Sequence, residues 1–491
     1  VPPGLGEDNP TEELPLNLLE WVVIIVTPVV SLYTAGHALL YKRDPRAALG
    51  WIAVCLVFPL AGPLLYLFFG VNRVRTRAQK LRRLGFPLAF HDERSEVVHG
   101  TEVSHAAVPR EFTALVRIGD TVTGEPLVGG NRLEALHNGE QVYPAMLKAI
   151  ENARRSLYLT TYLFETDGTG RRFIDAIGAA ARRGVDVRVL VDGIGELYCL
   201  PRAGTLLRKH GVRVARFMPP RLVPPALHVN LRNHRKILVA DGEIGFTGGM
   251  NIGDRHLTAD ETRVSRVVDT HFRVAGPVVR RMALTFLDDW RFCTGEETAP
   301  EPGLAADAGD ALCRVIADGP NEEMDKLSMI LVGAVSIARS RIAVMTPYFL
   351  PSREMIAALQ SAALRGVRVS IILPAKNNLP FVHWATRNLL WELVQRGVRV
   401  YYQPPPFVHT KLLLVDHAYV QVGSANLDPR SLRLNFELNL EVFDEAFAHR
   451  VAAHVEEVRK RSHELTLEEL DSRPLPVRLR DALAWLFSPY M

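Results

Sequence analysis

Cysteine is scarce in these 491 residues. Cys55, Cys199, Cys293 and Cys313 are far apart, form no C-x-x-C pair and have no histidine cluster at zinc-ligand spacing beside them. That argues against a disulfide scaffold or a cysteine-ligated zinc site, and the four read as unpaired thiols of a reducing compartment. An excess of one charge is also missing. The 58 Lys and Arg against 54 Asp and Glu leave a formal net charge of +4, too little for the whole surface to bind nucleic acid or another polyanion. No long low-complexity tract interrupts a chain that is 48% hydrophobic and 23% charged, so disordered and collagen-like classes fit poorly. The length implies two or three folded domains. Lysine supplies only nine of the 58 basic residues, so a lysine that recurs in a fixed context is informative.

Two apolar runs open the chain, 21–40 (WVVIIVTPVVSLYTAGHALL) and 47–71 (AALGWIAVCLVFPLAGPLLYLFFGV). Each is near the roughly 20 residues that cross a bilayer core, so two spanning or re-entrant segments are expected. The residues before the first run are acidic, unlike a signal peptide. Pro59, Gly62 and Pro63 interrupt the second run, where they can kink the helix or turn it back. Basic residues between Arg73 and Arg83 outnumber those between the runs, which places that segment and all that follows in the cytoplasm, against anionic headgroups.

The rest of the chain repeats itself. SLYLTTYLF, ARRGVDVRVLVDG, GVRVARF and HRKILVADGEIGFTGGMN recur in the same order as RIAVMTPYFL, ALRGVRVSIILPA, GVRVYYQ and HTKLLLVDHAYVQVGSAN. Apolar β-branched runs alternating with helical stretches imply two fused α/β domains, each with a largely parallel sheet. The expected boundaries are 1–84 for the hydrophobic hairpin and basic segment, 85–293 for the first domain with its polar lead-in, 294–309 for a linker rich in Ala, Gly, Pro and acids, and 310–491 for the second domain.

Within the repeat, His234, Lys236 and Asp241 have the spacing H-x-K-x-x-x-x-D, with Gly248, Gly249 and Asn251 following. His409, Lys411 and Asp416 match them, with Gly423, Ser424 and Asn426. Residues i and i+2 of a strand face one side, so each histidine and its lysine can point into a single cleft, and a small-residue turn can return the asparagine beside them. These groups suit phosphoryl transfer through a protein nucleophile: imidazole attacks phosphorus or moves a proton, while lysines and amides hold the charge on the non-bridging oxygens. Such chemistry needs no metal.

The duplicated HKD motif resembles that of the phospholipase D superfamily, and more narrowly its bacterial cardiolipin synthases. The hairpin, NHRKILVADG, FTGGMNIGD, VGSANLDPRSLRLNFELN and the terminal SPYM carry that resemblance over nearly the whole chain. It implies two phospholipase D-like domains and conversion of two phosphatidylglycerols into cardiolipin and glycerol, with no metal or nucleotide cofactor. The enzyme would lie in the bacterial inner membrane, multi-pass or re-entrant, with its catalytic part in the cytoplasm. Phosphatidylglycerol and other anionic lipids are the implied partners and nucleic acid is not; homo-oligomerisation is left open.

Residue by residue, the resemblance implies His234 as nucleophile and His409 as general acid, Lys236 and Lys411 on the phosphate, and Asn251, Asn426 and Ser424 as further donors. Asp241 and Asp416 complete the catalytic motif as supporting groups, since a carboxylate next to a phosphate would repel it. Asp269 and Glu437 match the carboxylates that orient the histidine of the other half, pairing with His409 and His234 respectively. Val267 stands where the family usually has Trp. The Arg-rich context of NHRK would favour a neutral His234. Competing readings are a phospholipase D that uses water, and a membrane-bound nuclease. The Pro-rich stretches 218–228 and 403–407 read as loops, with a lid or acyl-chain entrance as the alternative. Phe381, Trp384 and Trp391 read as a buried helix face, with an interfacial anchor as the alternative, and GTG at 168–170 is too short for a dinucleotide loop.

Overall fold

The structure, a computed structural model, describes residues 18–42, 45–70, 108–220, 231–263, 265–296, 302–303, 305–319 and 325–488. The basic segment 73–83, residues 221–228 of the first Pro-rich stretch, part of the linker and residues 489–491 lie outside the described residues. The chain divides into two compact units, Val1–Asn72 and Arg73–Met491.

In the first unit, helices Leu18–Tyr41 and Pro45–Val57 are followed by a short helix, Ala61–Leu65, and a π-turn, Tyr66–Gly70. Pro59 breaks the second apolar run. The chain folds back so closely there that a Cβ on Gly62 would stand 2.3 Å from the Val54 carbonyl oxygen. Ala38, Cys55 and Tyr66 form the small core, and the Tyr66 hydroxyl is 2.8 Å from His37 Nδ1. Among the described residues no helix is long and apolar enough to cross a membrane, where two spanning or re-entrant segments were expected.

The second unit is built on seventeen strands. The first repeat contributes β1 (Val128–His137), β2 (Ser156–Thr161), β3 (Asp186–Asp192), β4 (Arg213–Phe217), β5 (Ile237–Ala240), β6 (Ile244–Gly248), β7 (Val267–Val268) and β8 (Thr270–Ala275). The second contributes β9 (Ala311–Asp318), β10 (Arg341–Met345), β11 (Arg368–Pro374), β12 (Arg399–Gln403), β13 (Phe407–Val408), β14 (Leu412–Val415), β15 (Tyr419–Gly423), β16 (Glu437–Phe443) and β17 (His463–Glu464). Fifteen of them form one sheet, ordered β17-β12-β11-β10-β14-β15-β16-β9-β1-β8-β6-β5-β2-β3-β4. The order reads alike outward from the central antiparallel β1–β9 pair, so the repeats are joined edge to edge in a continuous sheet.

The expected largely parallel sheet is corrected to a mixed one. Among the described residues only β2–β3–β4 and β10–β11–β12 pair in parallel within this sheet. Three-residue loops join β5 to β6 and β14 to β15, and connections that short permit only antiparallel neighbours.

Alternation along the strands sets the layers. Ile237 and Val239 of β5, like Leu412 and Leu414 of β14, enter a core shared by both repeats, with Phe286 and Trp290 from helix Val278–Thr294 and Phe447 and Val451 from helix Glu445–Lys460. Leu238 and Ala240 enter a core of the first repeat, and Leu413 and Val415 one of the second. Two of the helices over these outer cores start at side-chain caps: Asp167 accepts from Gly170 N–H at 2.9 Å, and Ser352 from Met355 N–H at 3.4 Å. GTG is thus a capped helix start, with Asp254 accepting from Thr169 N–H as well.

Candidate active site

Both histidines are set by backbone from the opposite repeat. The His234 N–H donates to the Phe436 carbonyl at 2.9 Å, and the His409 N–H donates to the Val268 carbonyl at 2.8 Å. β7 pairs in parallel with β13 to make the second contact, so the Val267 position keeps the strand geometry with a small β-branched residue. The residue after each carbonyl is the expected carboxylate. His234 Nδ1 lies 3.0 and 3.1 Å from the two Glu437 oxygens, and His409 Nδ1 lies 3.0 Å from Asp269 Oδ2. With Nδ1 held, Nε2 of each ring is left for reacting atoms.

Lys236 Nζ donates to its own His234 carbonyl at 2.7 Å, and Lys411 Nζ to the His409 carbonyl at 2.6 Å. Burial pushes the Lys236 ammonium down to about 7, helped by the charge of Lys411, and burial pushes Lys411 down to about 8. Burial and then the lysines hold His234 well below the ordinary imidazole range and bring His409 to about 3, which favours the neutral form of both rings. The carboxylates differ. Burial alone would raise Asp269, but the hydrogen bond from His409 and the neighbouring cations hold it at about 2, whereas burial pushes Glu437 up to about 7.

The other motif residues fall into separate groups. Among the described residues Asn426 Oδ1 has no hydrogen-bond partner, and Asn426 lines a small cavity with Lys411; its Nδ2 donates to Ser431. Asn251 Oδ1 accepts from Leu163 N–H at 3.1 Å. Ser424 is not presented to the cleft as a phosphate donor: it is fully buried and its hydroxyl donates to Glu437 Oε2. Gly249 holds the matching place in the first repeat, where a Cβ would lie 2.7 Å from the Asp269 oxygens.

Asp241 and Asp416 are not brought to the histidines, which corrects their placement as catalytic residues. Each begins a hairpin loop in the left-handed conformation, φ 55° and 53°, beyond the far end of the strand that its lysine precedes. Asp241 accepts from the N–H groups of Arg154, Arg155 and Ser156, and Asp416 from those of Arg339, Ser340 and Arg341. They tie the hairpins to the segments leading into β2 and β10.

Arg235 also departs from expectation. Adjacent strand residues face opposite ways, and Arg235 is buried against Asp289 at 2.7 Å and the carbonyls of Glu437 and Asp318. The positive charges at His234 are Lys236, Lys411 and Arg430. Tyr162 and Tyr348 were not singled out from the sequence. Their rings stand 5.6 Å from His234 and 6.4 Å from His409, and their signal was the shared T-x-Y of TTYLF and TPYFL. In the second Pro-rich stretch, Phe407 lies 6.0 Å from the His409 ring.

The chain is similar to known proteins over nearly its whole length. A family model described as cardiolipin synthase, PLD-like domain matches residues 146–290 and 331–459, and one described as phospholipase D-nuclease N-terminal matches residues 29–70. Cardiolipin synthase A of Pseudomonas aeruginosa is 33% identical over 493 residues, covering 99% of both chains. Cardiolipin synthase of Geobacillus kaustophilus is 31% identical over 483 residues, covering 96% of this chain and 93% of the relative. The crystal structure of phosphatidylserine synthase from Haemophilus influenzae shares the fold, with a TM-score of 0.60 at 16% identity, covering 77% of this chain and 100% of that one.

Proposed function

Because the chain belongs to the bacterial cardiolipin synthase family of the phospholipase D superfamily, we propose that it is a phosphatidyl transferase that condenses two phosphatidylglycerols into cardiolipin and glycerol. The observation that carries the mechanism is the exchange of carboxylates between repeats, Glu437 to His234 and Asp269 to His409. Residues 85–293 and 310–491 are read as phospholipase D-like domains that share this one site.

In the first step His234 Nε2 attacks phosphorus, forming a P–N bond while the P–O bond to glycerol breaks. His409 gives its Nε2 proton to the departing oxygen. In the second step His409 takes the proton from a headgroup hydroxyl of the second phosphatidylglycerol, whose oxygen displaces His234 from phosphorus. Lys236, Lys411, Asn251 and Asn426 are read as holding the non-bridging oxygens. The unequal carboxylates support these roles. Asp269 stays ionised and can stabilise an imidazolium at His409, whereas Glu437 loses its proton only near about 7 and as the carboxylate accepts from His234 Nδ1–H. The incoming phosphodiester anion raises His409 toward the protonated form it needs as an acid.

The N-terminal unit is read as the bilayer anchor, re-entrant or multi-pass in the inner membrane, with the cleft on the cytoplasmic side. Its helices leave Leu32, Tyr33, Leu39 and Leu40 between 64% and 76% exposed, which supports burial in lipid. Cysteine-accessibility labelling in sealed vesicles checks the sidedness. Incubation of the purified protein with phosphatidylglycerol alone, and separately with DNA, tests the activity. Cardiolipin and glycerol in equal amounts are expected. Phosphatidic acid with glycerol would instead assign a hydrolase, and cut DNA a nuclease.

A further inference from the structure

β3 and β11 occupy equivalent places in the two repeats, and the loop after each opens beside the cleft. In the first, Tyr198 contacts Tyr162, the tyrosine next to His234. In the second, Asn378 accepts the hydroxyl of Tyr348, the tyrosine next to His409, at 2.8 Å. Both loops then present large apolar side chains to solvent. Tyr198 is 68% exposed and Leu200 83%, while Leu379 is 45% and Phe381 58%.

Single exposed apolar residues are ordinary on a protein surface, but two matched groups beside one cleft are not. The charges in these loops point to the occupant. Lys376 is exposed and Arg202 half-buried, whereas Glu196, the lone carboxylate of residues 193–202 and 375–381, is buried against Arg216. The solvent-facing side chains of these loops are therefore apolar, cationic or, at Asn377 and Asn378, neutral amides, and none is a carboxylate. Phe381 is also backed by rigid structure: its ring is 5.3 Å from Trp384, over which Arg480 lies at 4.4 Å. The reading of Phe381 as part of a buried helix face is thereby corrected.

We propose that residues 197–202 and 376–381 form a two-sided rim that seats the mouth of the cleft on the surface of an anionic phospholipid bilayer. The apolar side chains enter the boundary of headgroups and acyl chains, and Lys376 and Arg202 meet phosphates. A headgroup can then reach the histidines while its acyl chains stay in the bilayer, and water is displaced from the entrance. The inference rests on the phospholipid substrate proposed above, and is separate from anchoring by the N-terminal unit.

The test uses the full chain held in amphipol. Hydrogen–deuterium exchange of the wild type, before and after addition of phosphatidylglycerol vesicles, should show protection of both loops. No protection in either would overturn the proposal. Leu200→Asp with Phe381→Asp should lower kcat/KM at least 10-fold on phosphatidylglycerol vesicles, through a higher apparent KM. Turnover of short-chain phosphatidylglycerol below its micelle concentration should change less than 2-fold, and Leu200→Met with Phe381→Leu should restore vesicle activity. Equal loss on both substrates, unchanged vesicle activity, or a dimer dissociated by the substitutions would each overturn the rim. A wild type whose loops are protected but which makes no cardiolipin would leave the rim standing and remove the proposed reaction instead.

Discussion

Glu437 grips His234 across 203 residues of chain, with its two oxygens 3.0 and 3.1 Å from Nδ1. A ring held from the other repeat is positioned only while the repeats stay docked. Glu437→Gln should lower kcat about 10²-fold, the lower end for acid–base groups, with a thermal midpoint near that of the wild type. Steady-state rates beside a melting curve check this. A rate within 2-fold of wild type would remove the orienting role.

The two dyads respond differently to small substitutions. Ser424 stabilises the Glu437 carboxylate, so Ser424→Ala should push that carboxyl above about 7 and move the acid limb of the rate profile to higher pH. Gly249→Ser should be far more damaging, because the new Cβ would meet the Asp269 oxygens at 2.7 Å and the His409 carbonyl oxygen at 2.8 Å. Parallel pH–rate profiles decide it. Equal effects of the two changes would contradict the asymmetry.

Both lysines sit below their ordinary value, at about 7 and about 8, so their cations are present at lower pH and lost as pH rises through that range. kcat/KM should fall as pH rises above about 7, where Lys236 loses its charge first. The bound phosphodiester favours the cations, so the limb in kcat should lie at higher pH than the limb in kcat/KM. For stability the sign is opposite: the unfolded chain binds these protons more tightly, so the lysines' contribution to stability rises with pH from about 7 up to the ordinary lysine value of 10.5. Lys236→Arg should move the alkaline limb of kcat/KM upward, from about 7 toward the about 8 of Lys411, and an unmoved limb would assign it to another group.

Asp241 and Asp416 belong to the stability of the fold rather than to the chemistry. Losing three backbone hydrogen bonds to a carboxylate should lower stability by about 2 kcal/mol in Asp416→Ala, while kcat of the folded enzyme stays within a few-fold of wild type. Chemical denaturation and active-site-normalised rates measure the two effects separately. A 10³-fold loss of rate at unchanged stability would return the aspartates to the catalytic group.

These aspartates also show how far the residues could be read unaided. The histidines and lysines were legible because rare residue types recur at one spacing, 175 residues apart, whereas the cross-repeat carboxylates, 168 residues apart and of different type, were read from the family resemblance. The Asp-Gly after β5 carried an equally plain turn signal, but motif membership masked it. Arg235 was misread because a run of basic letters hides the alternation of a strand, which sends i+1 to the opposite face. The antiparallel majority of the sheet was missed because β-α-β segments announce themselves through long apolar runs, while hairpin pairing is set by three-residue loops. Ser424 looked like a phosphate donor because its partner, Glu437, is thirteen residues further on and reaches it only through the β15–β16 pairing.

The account's central claim is a covalent step at one histidine of a site built from both repeats. Quenched-flow mixing with phosphatidylglycerol, acid trapping and peptide mass spectrometry test it most directly. A phosphatidyl adduct on His234, absent in His234→Ala and accumulating in His409→Ala, is the result expected. An adduct confined to His409 would reverse the roles, and no adduct on either histidine during turnover would contradict the two-step transfer.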